Sequence, residues 1–236
     1  GETVWQDENV TFDQDVIATN IRVEGDVTVT VLGSLSILGN LELAQGAMLN
    51  VVAESISIDQ QMTIDGGAIG AELTESFNVG SVQLTNSSLS IGNANLHING
   101  NLMATGELLV EAKNVHVSGS VQLSDGVSRF ATTGVIKVVG DVIATNNVLT
   151  TEFANSEDKV VYRLSLDING KLELIGASIN VDGKGYPAGY GVDFGINECL
   201  SAHAGAGIYL ESDNCGHGNY LNPVDAGAGS KLGNGG

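Results

Sequence analysis

The sequence is poor in proline and in basic residues, and each shortage removes a class of structure or function. Of 236 residues only 2 are proline while 32 are glycine, which excludes collagen and proline-rich linkers. Lys and Arg total 9 against 28 Asp and Glu, so the net charge is −19. That charge repels nucleic-acid phosphates and anionic membranes, and no apolar run approaches the ~20 residues of a membrane span. We therefore predict neither a nucleic-acid partner nor membrane insertion.

The sequence has only two cysteines, Cys199 and Cys215, and both lie near its C-terminal end. Their separation suits a local disulfide loop, and no neighbouring residues have the spacing of a zinc site. A disulfide would place the chain in an oxidising compartment; the alternative is a pair of free thiols.

Two N-glycosylation sequons also favour secretion. Their acceptors are Asn9 (Asn9-Val10-Thr11) and Asn86 (Asn86-Ser87-Ser88). The sequence opens at Gly1 on an acidic, polar stretch and not on a signal peptide, which is typical of a mature protein or an excised fragment. We expect an extracellular or cell-surface location.

What the sequence has in abundance is strict alternation of apolar and polar residues. Examples are Val27-Thr28-Val29-Thr30-Val31, Leu41-Glu42-Leu43, Leu96-His97-Ile98 and Leu172-Glu173-Leu174. A period of two predicts strands with one buried face, and helical spacing is not sustained. The chain is therefore predicted to be all-β.

Glycine, asparagine and aspartate interrupt these short strands every six or seven residues, as at Gly39-Asn40, Asn99-Gly100-Asn101 and Gly140-Asp141. Three strand-and-corner units make a coil of roughly 18–21 residues. We predict a right-handed parallel β-helix, or β-solenoid, with three short strands per rung, in which corner residues adopt left-handed conformations. The alternative, an antiparallel β-sandwich, would have longer strands and wider turn spacing.

The pattern divides the chain into three parts. Residues 1–20 are predicted to be an N-terminal cap or lead-in, with Trp5 or Phe12 covering the first rung. Residues 21–183 form the solenoid, with an irregular excursion near 150–163. Residues 184–236 are a glycine-rich segment that we predict to be pinned by a Cys199–Cys215 disulfide, and the chain is predicted to be part of a longer protein.

The C-terminal motifs carry a family resemblance. Asp-Gly-Lys-Gly-Tyr-Pro-x-Gly (Asp182 to Gly189) follows the alternating strands, and Cys-Gly-His-Gly-x-Tyr-x-x-Pro (Cys215 to Pro223) comes later. Together they resemble large secreted or cell-surface β-solenoid proteins with glycine-rich inserts, of the adhesin or extracellular fibrous glycoprotein type. The resemblance implies a structural or adhesive role.

The candidate ligand and docking residues lie in the same glycine-rich segment. They are Tyr186, Tyr190, Tyr209, His217 and Tyr220. The tyrosines are suited to a sugar-binding platform or to packing on the flank of the coil. Gly216-His217-Gly218 resembles a motif of polygalacturonases, but the paired acids and basic segment of those enzymes are missing. We assign no catalytic residue.

We predict no cofactor, and calcium is the alternative that the aspartates leave open. Asp65, Asp125, Asp141 and Asp182 lie at predicted corners, where carboxylates and carbonyls converge, but they also suit a plain turn-forming role. No recognised calcium-loop repeat is present. His97 and His116 occupy outward strand positions about one rung apart, as a stacked pair or a metal pair would.

These observations favour a non-enzymatic structural module of an extracellular filament, surface coat or adhesin. It would act as a stiff rod with a glycine-rich docking or polymerisation region, by self-association or through other extracellular structural proteins and glycans. The alternative is a polysaccharide-active or polysaccharide-binding β-helix protein.

Overall fold

The computed structural model describes residues 1–6, 8–44, 46–152 and 162–184, in which every regular element is a β-strand. The strands are β1 (Glu2–Trp5), β2 (Val10–Phe12), β3 (Val16–Ala18), β4 (Asn20–Val23), β5 (Thr28–Val31), β6 (Leu35–Ile37), β7 (Leu41–Leu43), β8 (Met48–Asp65), β9 (Ala68–Ser90), β10 (Asn95–Ile98), β11 (Leu102–Ala112), β12 (Asn114–Val117), β13 (Val121–Thr132), β14 (Ile136–Val138), β15 (Val142–Thr150), β16 (Leu166–Ile168), β17 (Leu172–Ile175) and β18 (Ser178–Ile179).

The strands form three parallel stacks, which we call sheets 1, 2 and 3. Sheet 1 begins with β1 and β4, sheet 2 with β2 and β5, and sheet 3 with β3 and β6. The long strands β8 and β9 continue through the corners, so different parts of each belong to different sheets. In each coil the chain contributes one strand segment to sheet 1, then one to sheet 2 and one to sheet 3, and the next coil begins again in sheet 1.

The register gives the length of one coil. Glu2 pairs with Asn20, which is 18 positions later, and Leu41 pairs with Met62, which is 21 positions later. The predicted β-solenoid with three strands per rung is thereby confirmed, with about seven turns. The antiparallel sandwich is wrong, because every pairing among the described strands is parallel. The right-handed sense of the coil stays a prediction based on the general preference of parallel crossovers.

The core consists of aliphatic ladders that run from coil to coil. In β4, Ile21 and Val23 are buried while Arg22 between them faces outward. Their equivalents in later coils are also buried, and on sheet 1 one such ladder is Ile21, Leu41, Met62, Val82, Leu102, Val121 and Val142. Burying one such side chain contributes about 1.5–3 kcal/mol, but only when the next coil covers it. Stacking is therefore what stabilises each turn.

Strands β1, β2 and β3, within the segment predicted as a cap or lead-in (residues 1–20), form the first coil. Strand β1 pairs with β4, β2 with β5 and β3 with β6. The rings of Trp5 and Phe12 lie with centroids 5.1 Å apart and pack against the aliphatic core. The alternation is weaker here because two of the inward positions hold large aromatic side chains instead of Val, Ile or Leu.

The coil that follows β15 is longer than the others. Val142 pairs with Leu172, which is 30 positions later, and β15 ends at Thr150. The additional residues lie between Thr150 and β16, in the stretch where the sequence predicts an excursion.

The chain divides into two compact units. The solenoid is residues 1–150 and 164–179; the second unit is residues 151–163 and 180–236, of which 151–152, 162–163 and 180–184 are described. The described residues include no helix that is long and apolar enough to cross a membrane.

Candidate functional site

The corner between sheets 3 and 1 carries a ladder of polar side chains that joins successive coils. We call it the corner ladder; its members are Asn20, Asn40, Gln61, Ser81, Asn101, Ser120, Asp141 and Lys171. Asn20 Oδ1 accepts the N–H of Asn40 at 2.8 Å, and Asn40 Oδ1 accepts that of Gln61 at 3.1 Å. Asn101 Oδ1 accepts the N–H of Ser120 at 2.9 Å. At this corner the backbone N–H of one coil donates to a side-chain oxygen of the preceding coil, and not to a backbone carbonyl as within a sheet.

Serine and aspartate play the same part elsewhere in the corner ladder. Ser81 Oγ accepts the N–H of Asn101 at 3.3 Å, and Ser120 Oγ accepts that of Asp141 at 3.2 Å. Asp141 Oδ1 accepts the N–H of Lys171 at 2.8 Å. Where a side chain accepts the N–H of the next coil it is therefore short and carries an acceptor oxygen, whatever its residue type. Gln61 is the exception, since its longer side chain donates to Thr63 and Gln83 instead.

Glycine precedes most members of the corner ladder because the coils approach each other closely there. A Cβ on Gly119 would lie 2.5 Å from the carbonyl oxygen of Gly100 and would also clash with Asn101 Oδ1. Gly39 and Gly140 meet the preceding coil in the same way, and none of these glycines has a positive φ. The prediction that corner residues adopt left-handed conformations is wrong for these positions, where glycine is needed for space.

That prediction is confirmed at a different corner, between sheets 1 and 2. From the second coil onward each coil has at least one residue with a positive φ there, and it is glycine, asparagine or aspartate, the types that adopt this conformation at least cost. Gly126 has one in addition to its neighbour Asp125. The series is Gly25, Gly46, Gly66, Asn86, Gly106, Asp125, Asn146 and Gly176.

A polar groove of about 560 Å³ lies along the corner ladder. Its lining includes Asn40, Asp59, Gln60, Gln61 and Asn99. Amide groups both donate and accept hydrogen bonds, and Asp59 is the only charged residue in the lining. Such a surface suits a neutral ligand with many hydroxyl groups.

Charge is distributed unevenly over the solenoid. Arg22 is the only Lys or Arg among the first 112 residues, and its side chain lies 2.6 Å from Glu24 and 3.8 Å from Glu42. In a late coil Lys171 Nζ lies 2.6 Å from Glu173. This hydrogen bond and the charge of Glu173 raise the pKa of Lys171. The early coils therefore carry most of the negative charge of the described solenoid.

The two predicted glycosylation acceptors are both exposed and both serve as corner acceptors. Asn9 Oδ1 accepts the N–H of Thr28 at 2.8 Å, and Asn86 Oδ1 accepts that of Glu107 at 3.1 Å. These contacts give each asparagine a structural role within the coil. Their glycosylation stays a prediction.

The four aspartates proposed for calcium belong to different structural elements. Asp65 ends β8, Asp125 is in the left-handed series, Asp141 belongs to the corner ladder, and Asp182 lies in a turn of the second unit. Asp125 Oδ1 accepts a hydrogen bond from Asn146 at 3.3 Å. Nowhere in the described ranges do three or more His, Cys, Asp or Glu side chains converge as metal ligands. Calcium binding stays a prediction, and each aspartate has a plain corner or turn role.

The remaining predicted site residues lie outside the described residues. They are Cys199, Cys215, Tyr186, Tyr190, Tyr209, His217 and Tyr220. The corner ladder, by contrast, was not predicted as a unit. The signal that would have revealed it is the recurrence of glycine followed by Asn, Ser or Asp at coil spacing, as in Gly39-Asn40, Gly100-Asn101 and Gly119-Ser120.

Comparison with known proteins adds no relative. No protein-family model matches the chain, and neither the curated proteins nor the solved structures contain a match.

Proposed function

We propose that this chain is a non-enzymatic structural module of an extracellular filament, surface coat or adhesin. The observation that carries the proposal is the continuity of the solenoid. Aliphatic ladders, parallel strand pairing and the corner ladder all connect one coil to the next. An object held together in this repetitive way resists bending and is suited to bearing load or to setting a distance.

The mechanism is geometric. Neighbouring coils are about 4.8 Å apart, so seven turns extend about 34 Å along the axis. Outward strand positions are largely polar or charged, as Thr30, Glu42 and Gln83 are, which keeps the module soluble. A net charge of −19 adds repulsion between modules and opposes unspecific aggregation.

Assembly would occur through the edge of the last described coil and through the glycine-rich segment. Leu172 and Leu174 occupy positions equivalent to buried core residues, yet they are 41% and 40% exposed. An apolar strand edge of this kind favours the addition of another strand. The motifs around Cys199 and Cys215 supply the second contact in this proposal, on the strength of the sequence alone.

Electron microscopy of the native particle tests the proposal. We expect filaments or surface arrays with an axial repeat set by this chain, whereas particles that remain monomeric at high concentration contradict it. Leu174→Lys places a charge on the exposed edge and should prevent assembly. Ile143→Lys is the matched control, since Ile143 faces outward on the same sheet one coil earlier and should leave assembly intact.

The second candidate is a polysaccharide-binding or polysaccharide-active β-helix protein, which the polar groove favours. The amides of Asn40, Gln60 and Asn99 suit the hydroxyl groups of a neutral glycan, while the net negative charge disfavours polyuronates. A glycan array and an activity screen on neutral polysaccharides distinguish the candidates. Turnover that His217→Ala abolishes would replace the structural proposal with an enzymatic one.

A further inference from the structure

Two histidines lie side by side on the outer face of sheet 3. His97 in β10 pairs in register with His116 in β12, the equivalent position of the next coil. Their ring centroids are 6.1 Å apart and the ring planes are inclined by 47°. Both side chains alternate with buried neighbours and are themselves half-exposed. Solvent and dissolved ions therefore reach both rings from the same side.

The spacing is within reach of a single metal ion. Paired residues on neighbouring strands are about 4.8 Å apart, and their side chains project in the same direction. Metal–nitrogen bonds of about 2.0–2.1 Å require two ring nitrogens roughly 3 Å apart. Half-exposed rings have the rotational freedom to converge to that separation without moving the backbone.

The surroundings select the kind of ion. Asn78 precedes His97 in the same outward row, and Lys137 follows His116. A second row beside the rings is an amide pair, in which Asn114 Nδ2 donates to Asn95 Oδ1 at 2.9 Å. The carboxylate in this row, that of Asp167, is separated from His116 by Lys137 and does not adjoin the rings. Paired imidazoles with no adjoining carboxylate suit Zn²⁺, Ni²⁺ or Cu²⁺, whereas Ca²⁺ requires oxygen ligands.

We propose that His97 and His116 form a two-imidazole site for a divalent transition-metal ion that clamps two successive coils together. Water completes the coordination shell. The ion needs the register of the folded coil, so it binds the folded chain in preference to the unfolded chain and raises its stability. The Lys137 ammonium opposes binding by repulsion, so the chain as it stands holds the ion weakly.

Titration of the full chain with Ni²⁺ alone tests the proposal, by calorimetry and by paramagnetic broadening of the histidine ring signals. We expect one ion to broaden both His97 and His116. His97→Ala and His116→Ala should each weaken binding by about tenfold or more, since even outer-shell changes at metal sites have that effect. Far-UV circular dichroism and the variants His97→Gln and His116→Gln show whether the coil survives each change.

Two further variants make the test selective. The double variant His203→Ala/His217→Ala removes the other two histidines of the chain and should keep the Ni²⁺ site intact. Asn78→His adds a third imidazole in register and should tighten binding, as should Lys137→Gln by removing the repulsion. Ni²⁺ binding that survives the loss of either His97 or His116, or that disappears in the double variant, overturns the proposal, as does a chain that binds no Ni²⁺.

Discussion

Replacing one member of the corner ladder tests whether it stabilises the contact between coils. Asn101→Ala removes the oxygen that accepts the N–H of Ser120 at 2.9 Å. The N–H of Asn101 itself still donates to Ser81 Oγ, so one connection is lost and its neighbour is kept. The corner is exposed and water partly replaces the lost acceptor, so we expect a loss of about 1 kcal/mol in the free energy of unfolding.

The chain supplies its own controls. Asn99→Ala changes an exposed asparagine two positions away that makes none of the corner-ladder hydrogen bonds, and it should alter stability by less than about 0.5 kcal/mol. Asn101→Ser should retain most of the stability, because Ser81 and Ser120 fill the same role in other coils.

Thermal unfolding and hydrogen exchange report the effect at two levels. A loss of about 1 kcal/mol corresponds to a decrease of about 2–4 °C in Tm for a chain of this size. The same loss of about 1 kcal/mol should lower the hydrogen-exchange protection factor of the Ser120 amide by about fivefold. The reasoning is refuted if Asn101→Ala behaves like Asn99→Ala, or if Asn101→Ser is as unstable as Asn101→Ala.

Three other changes have defined outcomes. Phe77→Ala removes the largest fully buried side chain and should cost about 3–5 kcal/mol in chemical denaturation; a cost below that of the partly exposed Ile143→Ala contradicts the packing account. Asn147→Leu should stabilise the chain by about 1–3 kcal/mol, since within the described residues the buried Asn147 amide has no hydrogen-bond partner; a destabilised variant reveals a partner or water. Gly106→Ala introduces a Cβ at a φ of +82° beside the Asn86 side chain, so the Tm should fall. The Tm of Gly106→Asn should fall less, because Asn86 and Asn146 adopt a positive φ at the equivalent position of other coils.

The sequence was sufficient to predict the coil because its inward positions are so uniform. Leu41 and Leu43 flank Glu42, and in the structure both leucines are buried and the glutamate is not. A shift of one residue would turn all these side chains to the other face, so the alternation alone fixes which face is inward. Coil length followed from the distance between corners, and the register of 18 to 21 positions agrees with it.

The corners were harder to predict because one residue type serves two physical purposes. Gly106 supplies a left-handed backbone, whereas Gly119 supplies space against the preceding coil. A single sequence does not separate these reasons at every corner, since Gly25-Asp26 and Gly140-Asp141 are the same pair of residues, yet Gly25 has a positive φ and Gly140 is needed for space. The distinction depends on contacts between residues about 20 positions apart, which only the folded register creates. The corner ladder went unpredicted for the same reason.

The corner ladder and the left-handed series together explain how successive coils keep their register, although the chain has few basic residues for ion pairs and few aromatic residues for stacking. The aliphatic ladders supply most of the burial energy, but Val, Ile and Leu are interchangeable and discriminate poorly between coils displaced by one residue. A positive φ in every coil and an acceptor oxygen such as Asn101 Oδ1 do discriminate, because displacement would put a residue with a Cβ where Gly119 contacts Gly100. Substitutions in the core should therefore lower stability while the register is kept. Substitutions at Gly119 should instead disturb the register itself, and exchange protection would be lost at Ser120 and Asp141 before it is lost in the core.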